Sequence, residues 1–192
     1  RSIRRDISDE AYLYVYYASL SDEEDALQAI YQFLRVGFAT GSSVLEQYAN
    51  PSVMRIVELR RKVGNECHHF REFARFESLN GSVYVSHLEP KSDVIMLVGR
   101  HFADRMPSEH WMIIDDKRKI ACIHPKDGTN YLRYLTDEEF DTLRKTEEYT
   151  DTYTDLWKTF FHAVGIKERE NYICQRNLFP KWKRKHAVEF RK

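Results

Sequence analysis

Glu66-Cys67-His68-His69-Phe70-Arg71-Glu72-Phe73-Ala74-Arg75-Phe76 is where this chain changes character. Before it, apolar residues recur at helical spacing; beyond it, they alternate as strands do. Upstream, Asn50-Pro51 is a helix start, with Asn as the cap and Pro at the first helical position. The helix it opens should bury Val53, Ile56, Val57, Val63 and Cys67, and expose Arg55, Glu58, Arg61 and Lys62. Downstream, Asn80-Gly81 between residues 73–79 and 82–88 predicts a hairpin, because such a pair favours the tight turn that matches strand twist.

The pattern extends in both directions. Residues 8–20 read as a helix, and Ser21-Asp22-Glu23-Glu24 as a capping box opening a second. Ala26, Leu27, Ile30, Phe33 and Leu34 follow at helical spacing, with a stop expected near Gly37 or Gly41. After the first hairpin comes a short helix over 92–103, ended by Pro107. Residues 110–115 and 119–124 form a second hairpin around Asp116-Lys117-Arg118, and 131–135 add a fifth strand. Thr136-Asp137-Glu138-Glu139 is another capping box. Residues 151–164 read as a helix with Leu156, Trp157, Phe160 and Phe161 facing inward. Helices, then strands, then helices make an α+β fold: N-terminal helices, a central mainly antiparallel sheet built from two hairpins, and C-terminal helices. The 192 residues suit a single domain, with a basic extension over 176–192. The chain starts with Arg1, so the full-length protein is expected to carry a further N-terminal segment.

Hydrophobic residues make up 42% of the chain, enough for a core. Its 30 basic and 30 acidic residues cancel, so total charge carries no nucleic-acid signal. Their placement does. Acids crowd residues 136–155, while Lys181, Lys183, Arg184 and Lys185 cluster near the end around Trp182. A local basic patch can hold a phosphate backbone whatever the net charge; a solvated extension is the competing reading. Cys67, Cys122 and Cys174 are too scattered for a disulfide framework and suit a reducing cytoplasm. No apolar run approaches a membrane span, and no signal peptide is visible.

Three polar constellations stand out. Glu66, His68 and His69 close the long helix; Glu66 with a histidine can act as general acid or base, whereas histidines at a helix C-terminus are also favoured by the helix dipole. Neither HExxH nor CxxC spacing is present, so no metal is expected there. In His101-Phe102-Ala103-Asp104-Arg105, His101 and Arg105 share a helix face and can grip a phosphate, unless Asp104 forms an internal ion pair. In the third, Arg169, Asn171 and Gln175 precede Lys181, Trp182, Lys183, Arg184 and Lys185. Amides read base edges, cations hold phosphates and Trp182 can stack on a base. Asp115-Asp116 reads as turn chemistry. GxSxG, Walker, GxGxxG and zinc-deaminase motifs are absent.

Taken together, these blocks resemble a bacterial domain family of unknown function labelled "probable DNA metabolism protein". The resemblance lies in Glu66-x-His68 leading to Phe73-x-Arg75-Phe76, and in His101 to Arg105 with Trp111, Ile113 and Asp115. It continues in Leu156-Trp157-Lys158 with Phe161, Ile166, Arg169, Asn171, Gln175, Pro180 and Glu189-Phe190. Glu72 departs from it, standing where the family shows glycine. The resemblance implies association with a DNA-repair radical-SAM partner and with uracil-DNA-glycosylase-like domains. Any iron–sulfur cluster would belong to that partner, since three scattered cysteines cannot build one.

Three readings follow. In the first, a DNA-associated accessory or processing factor holds phosphates through Arg75, Arg105, Arg169 and the basic end. In the second, an enzyme uses Glu66, His68 and His101 on an anionic substrate held by Arg75 and Arg105, with no cofactor of its own. In the third, an adaptor docks its partner through Tyr12, Tyr14, Tyr16 and Tyr17.

Overall fold

The computed structural model describes residues 1–79, 81–146 and 171–187, with Leu156, Thr159, Phe160 and Ala163. For Lys145, Thr146, Gln175, Trp182, Lys183 and Lys185 it describes the backbone alone. The chain divides into two compact units: Arg1–His68 with Lys91–Val94, and His69–Pro90 with Ile95–Lys192.

The first unit is helical: α1 (Ser2–Asp6), α2 (Asp9–Ser19), α3 (Ala26–Thr40), a 3-10 turn (Gly41–Glu46) and the larger part of α4 (Pro51–Phe73). Ser8 caps α2 by accepting the Ala11 amide. Phe33, Val44, Val53, Ile56 and Leu59 make a closed core with Ile7 and the alanines of α2 and α3. Val57, expected inside, is half-buried, and Leu59 takes the inward position.

The Ser21–Glu24 capping box does not form. Ser21 Oγ accepts the Glu23 amide in a tight turn, and α3 starts only at Ala26. Ion pairs explain the delay. Asp22 and Glu23 reach Lys62 of α4, while Glu23 and Asp25 reach Arg55. Arg55 and Lys62 hold the Glu23 carboxyl below its usual range, Lys62 most strongly. The helix continues past Gly37, which packs on Ile7, and ends at Gly41 with φ +66°.

The second unit is built on a five-stranded sheet in sequential order: β1 (Glu77–Leu79), β2 (Val83–Leu88), β3 (Trp111–Asp115), β4 (Ile120–His124) and β5 (Tyr131–Tyr134). Both expected hairpins are present, but β2 and β3 run parallel, joined through α5 (Ile95–Arg105). A crossover helix is what a parallel pair requires. The first hairpin is shorter than its apolar pattern suggests. α4 remains helical through Phe73, whose ring stacks on Phe179 at 4.1 Å, so the strand begins at Glu77.

Alternation puts Ile113 and Cys122 on one sheet face and Ile114 and Ala121 on the other. α5 packs on the first face. Glycine at position 99 permits this approach, because an added Cβ would collide with Cys122 Sγ unless the side chain shifted. The second face is covered by Phe140 and Leu143 of α6 (Asp137–Thr146). The second capping box forms as expected. Thr136 Oγ1 accepts the Glu139 amide, and Glu139 Oε2 accepts the Thr136 amide.

After α7 (Tyr172–Leu178), a 3-10 segment (Lys181–His186) lies between buried Phe179 and buried Ala187. Within it Arg184 and His186 are half-buried and Lys181 is exposed. Leu156 and Phe160, expected to face inward, are 63% and 54% exposed; spacing identifies an apolar stripe but not what covers it. Trp157 and Phe161 lie outside the described residues.

Candidate functional site

The residues of the sequence-derived constellations fall to different tasks. Glu66 is buried in the first unit, where its two carboxylate oxygens accept the amides of Lys91 and Ser92 at 2.7 and 3.0 Å. It thereby holds the turn that leads into α5. His68 is exposed on the same unit. Asn171 is an N-cap, with Oδ1 accepting the Cys174 amide that opens α7. Arg184 Nε donates to the Phe179 carbonyl at 2.8 Å and its guanidinium lies over that ring, so it ties down the 3-10 segment. Lys181 is exposed. Arg169 and the side chains of Gln175, Trp182, Lys183 and Lys185 lie outside the described residues.

One group does assemble in the second unit. Arg71, on the last turn of α4, and Arg105, on the last turn of α5, both act on the half-buried His101 ring. Burial is the main cause holding the His101 pKa below its ordinary value; Arg71 and then Arg105 add to it, and Asp104 opposes weakly. Arg71 donates through Nη2 to the Leu97 carbonyl, while its enclosed Nε has no hydrogen-bond partner. Arg75 turns back to the α4 end, bonding the Glu72 and Ala74 carbonyls through Nη1. Phosphate-type anions suit the Arg71–His101–Arg105 group: two forked cations act on one imidazole, and a negative charge beside that ring favours its protonated form.

A second cluster, missed by sequence reasoning, also lies in the second unit. Glu89, Asp116 and His186 bring one potential ligand atom each within 4.8 Å of one another. His87 Nδ1 lies 2.7 Å from Asp116 Oδ1, and the two side chains are 2% and 5% exposed. His87 Nε2 is buried without a hydrogen-bond partner. Asp116 Oδ2 faces His186 Nε2 at 3.9 Å, beyond hydrogen-bond reach. Behind His186 lies a small cavity of about 10 Å³ bordered by His69, Phe70, Phe73, Leu88 and Phe179.

Asp115 does the turn work expected of it, accepting the Lys117 and Arg118 amides and pairing with the Arg118 side chain. Asp116, its neighbour, points to a different task. No spacing rule links residues 87, 89, 116 and 186. The only hint is a histidine in a strand otherwise reading as core.

An open groove of about 430 Å³ between the sheet and α6 is lined mainly by Met112, Ile123, Leu135 and Leu143, with Arg133 and Glu139 at its rim. Arg133 and Glu139 pair with each other there. Among the described residues no helix is long and apolar enough to cross a membrane.

No curated protein and no solved structure matches the chain. A family does, over residues 24–189, which take in the sheet, α5 and both polar clusters, and this protein therefore belongs to the family described as "Domain of unknown function (DUF4130)".

Proposed function

We propose that this protein is a DNA-associated accessory or processing factor in DNA repair or modification, working with a radical-SAM partner and holding phosphate at Arg71, His101 and Arg105. The observation behind it is the cationic pair acting on His101: burial is the main cause of its lowered pKa, Arg71 and Arg105 both lower it further, and the only acid acting on it among the described residues has the smallest effect. Like charges gathered in this way repel one another, so a bound polyanion relieves a cost already present in the free protein. Lys181, exposed in the same unit, is a further cation available to a polyanion. The DNA-metabolism and partner elements of the proposal come from the sequence resemblance.

The test is fluorescence anisotropy with a labelled DNA duplex and the matching single strand, at several salt concentrations. Affinity should fall steeply with salt, since each phosphate contact contributes a slope of about −0.9 for duplex. Arg105→Glu reverses an exposed charge and should weaken binding roughly tenfold while flattening that slope by about one contact. Arg184 is a poor choice for substitution, because it holds the 3-10 segment to Phe179. Salt-independent binding, or equal affinity of Arg105→Glu and the parent chain, rules the reading out. The partner element fails separately if no radical-SAM protein co-purifies with the tagged chain from its own cells.

A further inference from the structure

We infer that Glu89, Asp116 and His186 form a binding site for one divalent first-row transition-metal ion, of the Zn2+, Mn2+ or Fe2+ type. Glu89 follows β2, Asp116 follows β3, and His186 closes the C-terminal 3-10 segment. Three separate stretches of chain thus deliver a carboxylate, a carboxylate and an imidazole to one point, with all three donor atoms within 4.8 Å of one another. Donors around a single ion with bonds of about 2.0–2.2 Å stand roughly 3–4 Å apart. The 3.9 Å between Asp116 Oδ2 and His186 Nε2 fits that spacing and is too long for a direct hydrogen bond.

His87 supplies an independent observation. Its side chain is 2% exposed, and Nδ1 is engaged with Asp116 Oδ1. Its Nε2 is buried and has no hydrogen-bond partner, a costly arrangement for a polar atom in a core. A histidine enclosed in this manner fixes the Asp116 carboxylate and leaves the second oxygen turned toward His186. Metal-ligating carboxylates are held by such outer partners. The near-parallel His87 and His186 rings, with centroids 6.2 Å apart, define the same corner of the unit.

The donor set indicates the metal class. One imidazole with two carboxylates suits Zn2+, Mn2+ or Fe2+, whereas Mg2+ and Ca2+ prefer oxygen alone. Three protein donors leave coordination positions open to water or a ligand oxygen, the pattern of reactive rather than purely structural sites. The inference does not depend on DNA binding.

The experiment is metal titration of the metal-stripped full chain, with Zn2+ followed by calorimetry and Co2+ as a visible-spectrum reporter. We expect one ion per chain, not displaced by equimolar Mg2+, and a Co2+ spectrum of nitrogen and oxygen ligands without a thiolate charge-transfer band. Glu89→Gln and His186→Gln should each weaken Zn2+ binding tenfold or more, while Cys174→Ser leaves it unchanged. Zn2+ should also raise the melting temperature of the parent chain but not of Glu89→Gln. Absence of binding, a thiolate band, or unchanged affinity in both ligand variants overturns the inference and leaves a hydrogen-bonded carboxylate–imidazole network. The parent chain's spectrum decides the matter even where a variant does not fold.

Discussion

His87 on β2 reaches Asp116 beyond the end of β3, Nδ1 to Oδ1 at 2.7 Å, with both side chains enclosed. The contact follows from the parallel pairing of β2 and β3. With Leu88 opposite Asp115 and the Asp116 amide donating to the Leu88 carbonyl, Asp116 emerges beside the end of β2. Replacing His87 with Ala should destabilise the protein by about 1–3 kcal/mol, because it strips a buried carboxylate of its partner. His87→Ala/Asp116→Ala should then cost less than the sum of the single changes. Urea unfolding of the four proteins measures the coupling, and strict additivity would contradict the pairing.

Gly99 sets how closely α5 approaches β4. Elsewhere in a helix Gly→Ala stabilises by up to ~1 kcal/mol. Here the added methyl meets Cys122 Sγ and the Asn130 side chain, so Gly99→Ala should destabilise by about 1–3 kcal/mol. Removing the obstruction with Cys122→Ala in the same chain should recover part of the loss. Thermal unfolding of the single and double variants provides the comparison.

Glu66 and His68 stand two positions apart in the motif but are unlike in burial. Glu66→Ala removes the acceptor for two backbone amides and should cost about 1–3 kcal/mol. His68→Ala alters an exposed position and should stay within about 0.5 kcal/mol. Denaturant midpoints of the two variants should therefore separate clearly; equal midpoints would remove the structural role assigned to Glu66.

His101 makes stability depend on pH. Its folded-state pKa lies below the ordinary imidazole value near 6.5, so the unfolded chain takes up a proton first as pH falls. Stability from this group is therefore present above pH ~6.5 and declines as the solution becomes more acid. His101→Gln should flatten the stability profile between about pH 5 and 7. Bound anion raises the same pKa, so DNA binding should take up protons and tighten toward lower pH in the parent chain, and much less in His101→Gln. Stability and anisotropy measured across pH test both halves.

Much of the secondary structure was legible locally. Asn50-Pro51 starts α4, Thr136 and Glu139 close a reciprocal cap, and Gly81 sits in the first hairpin turn with φ +69°. Each outcome depends on residues only a few positions apart. Ser21–Glu24 carries the same kind of local signal and fails, because Arg55 and Lys62, some thirty to forty residues away, hold its acids outside a helical turn. The parallel pairing of β2 and β3 was likewise not visible locally, since alternation identifies strands but not the direction of their neighbours.

The sequence by itself determined the order of helices and strands, the α+β class and the polar character of the stretch around Glu66, His68 and His101. Tertiary structure decided what those polar residues do. It gave Glu66 to a backbone turn, set Arg71 as well as Arg105 against His101, and brought Glu89, Asp116 and His186 together from three distant segments. The physical reason is range. Caps, turns and amphipathic stripes are set by neighbours within a few residues, whereas a charge cluster or a ligand set depends on which segments the sheet register brings side by side.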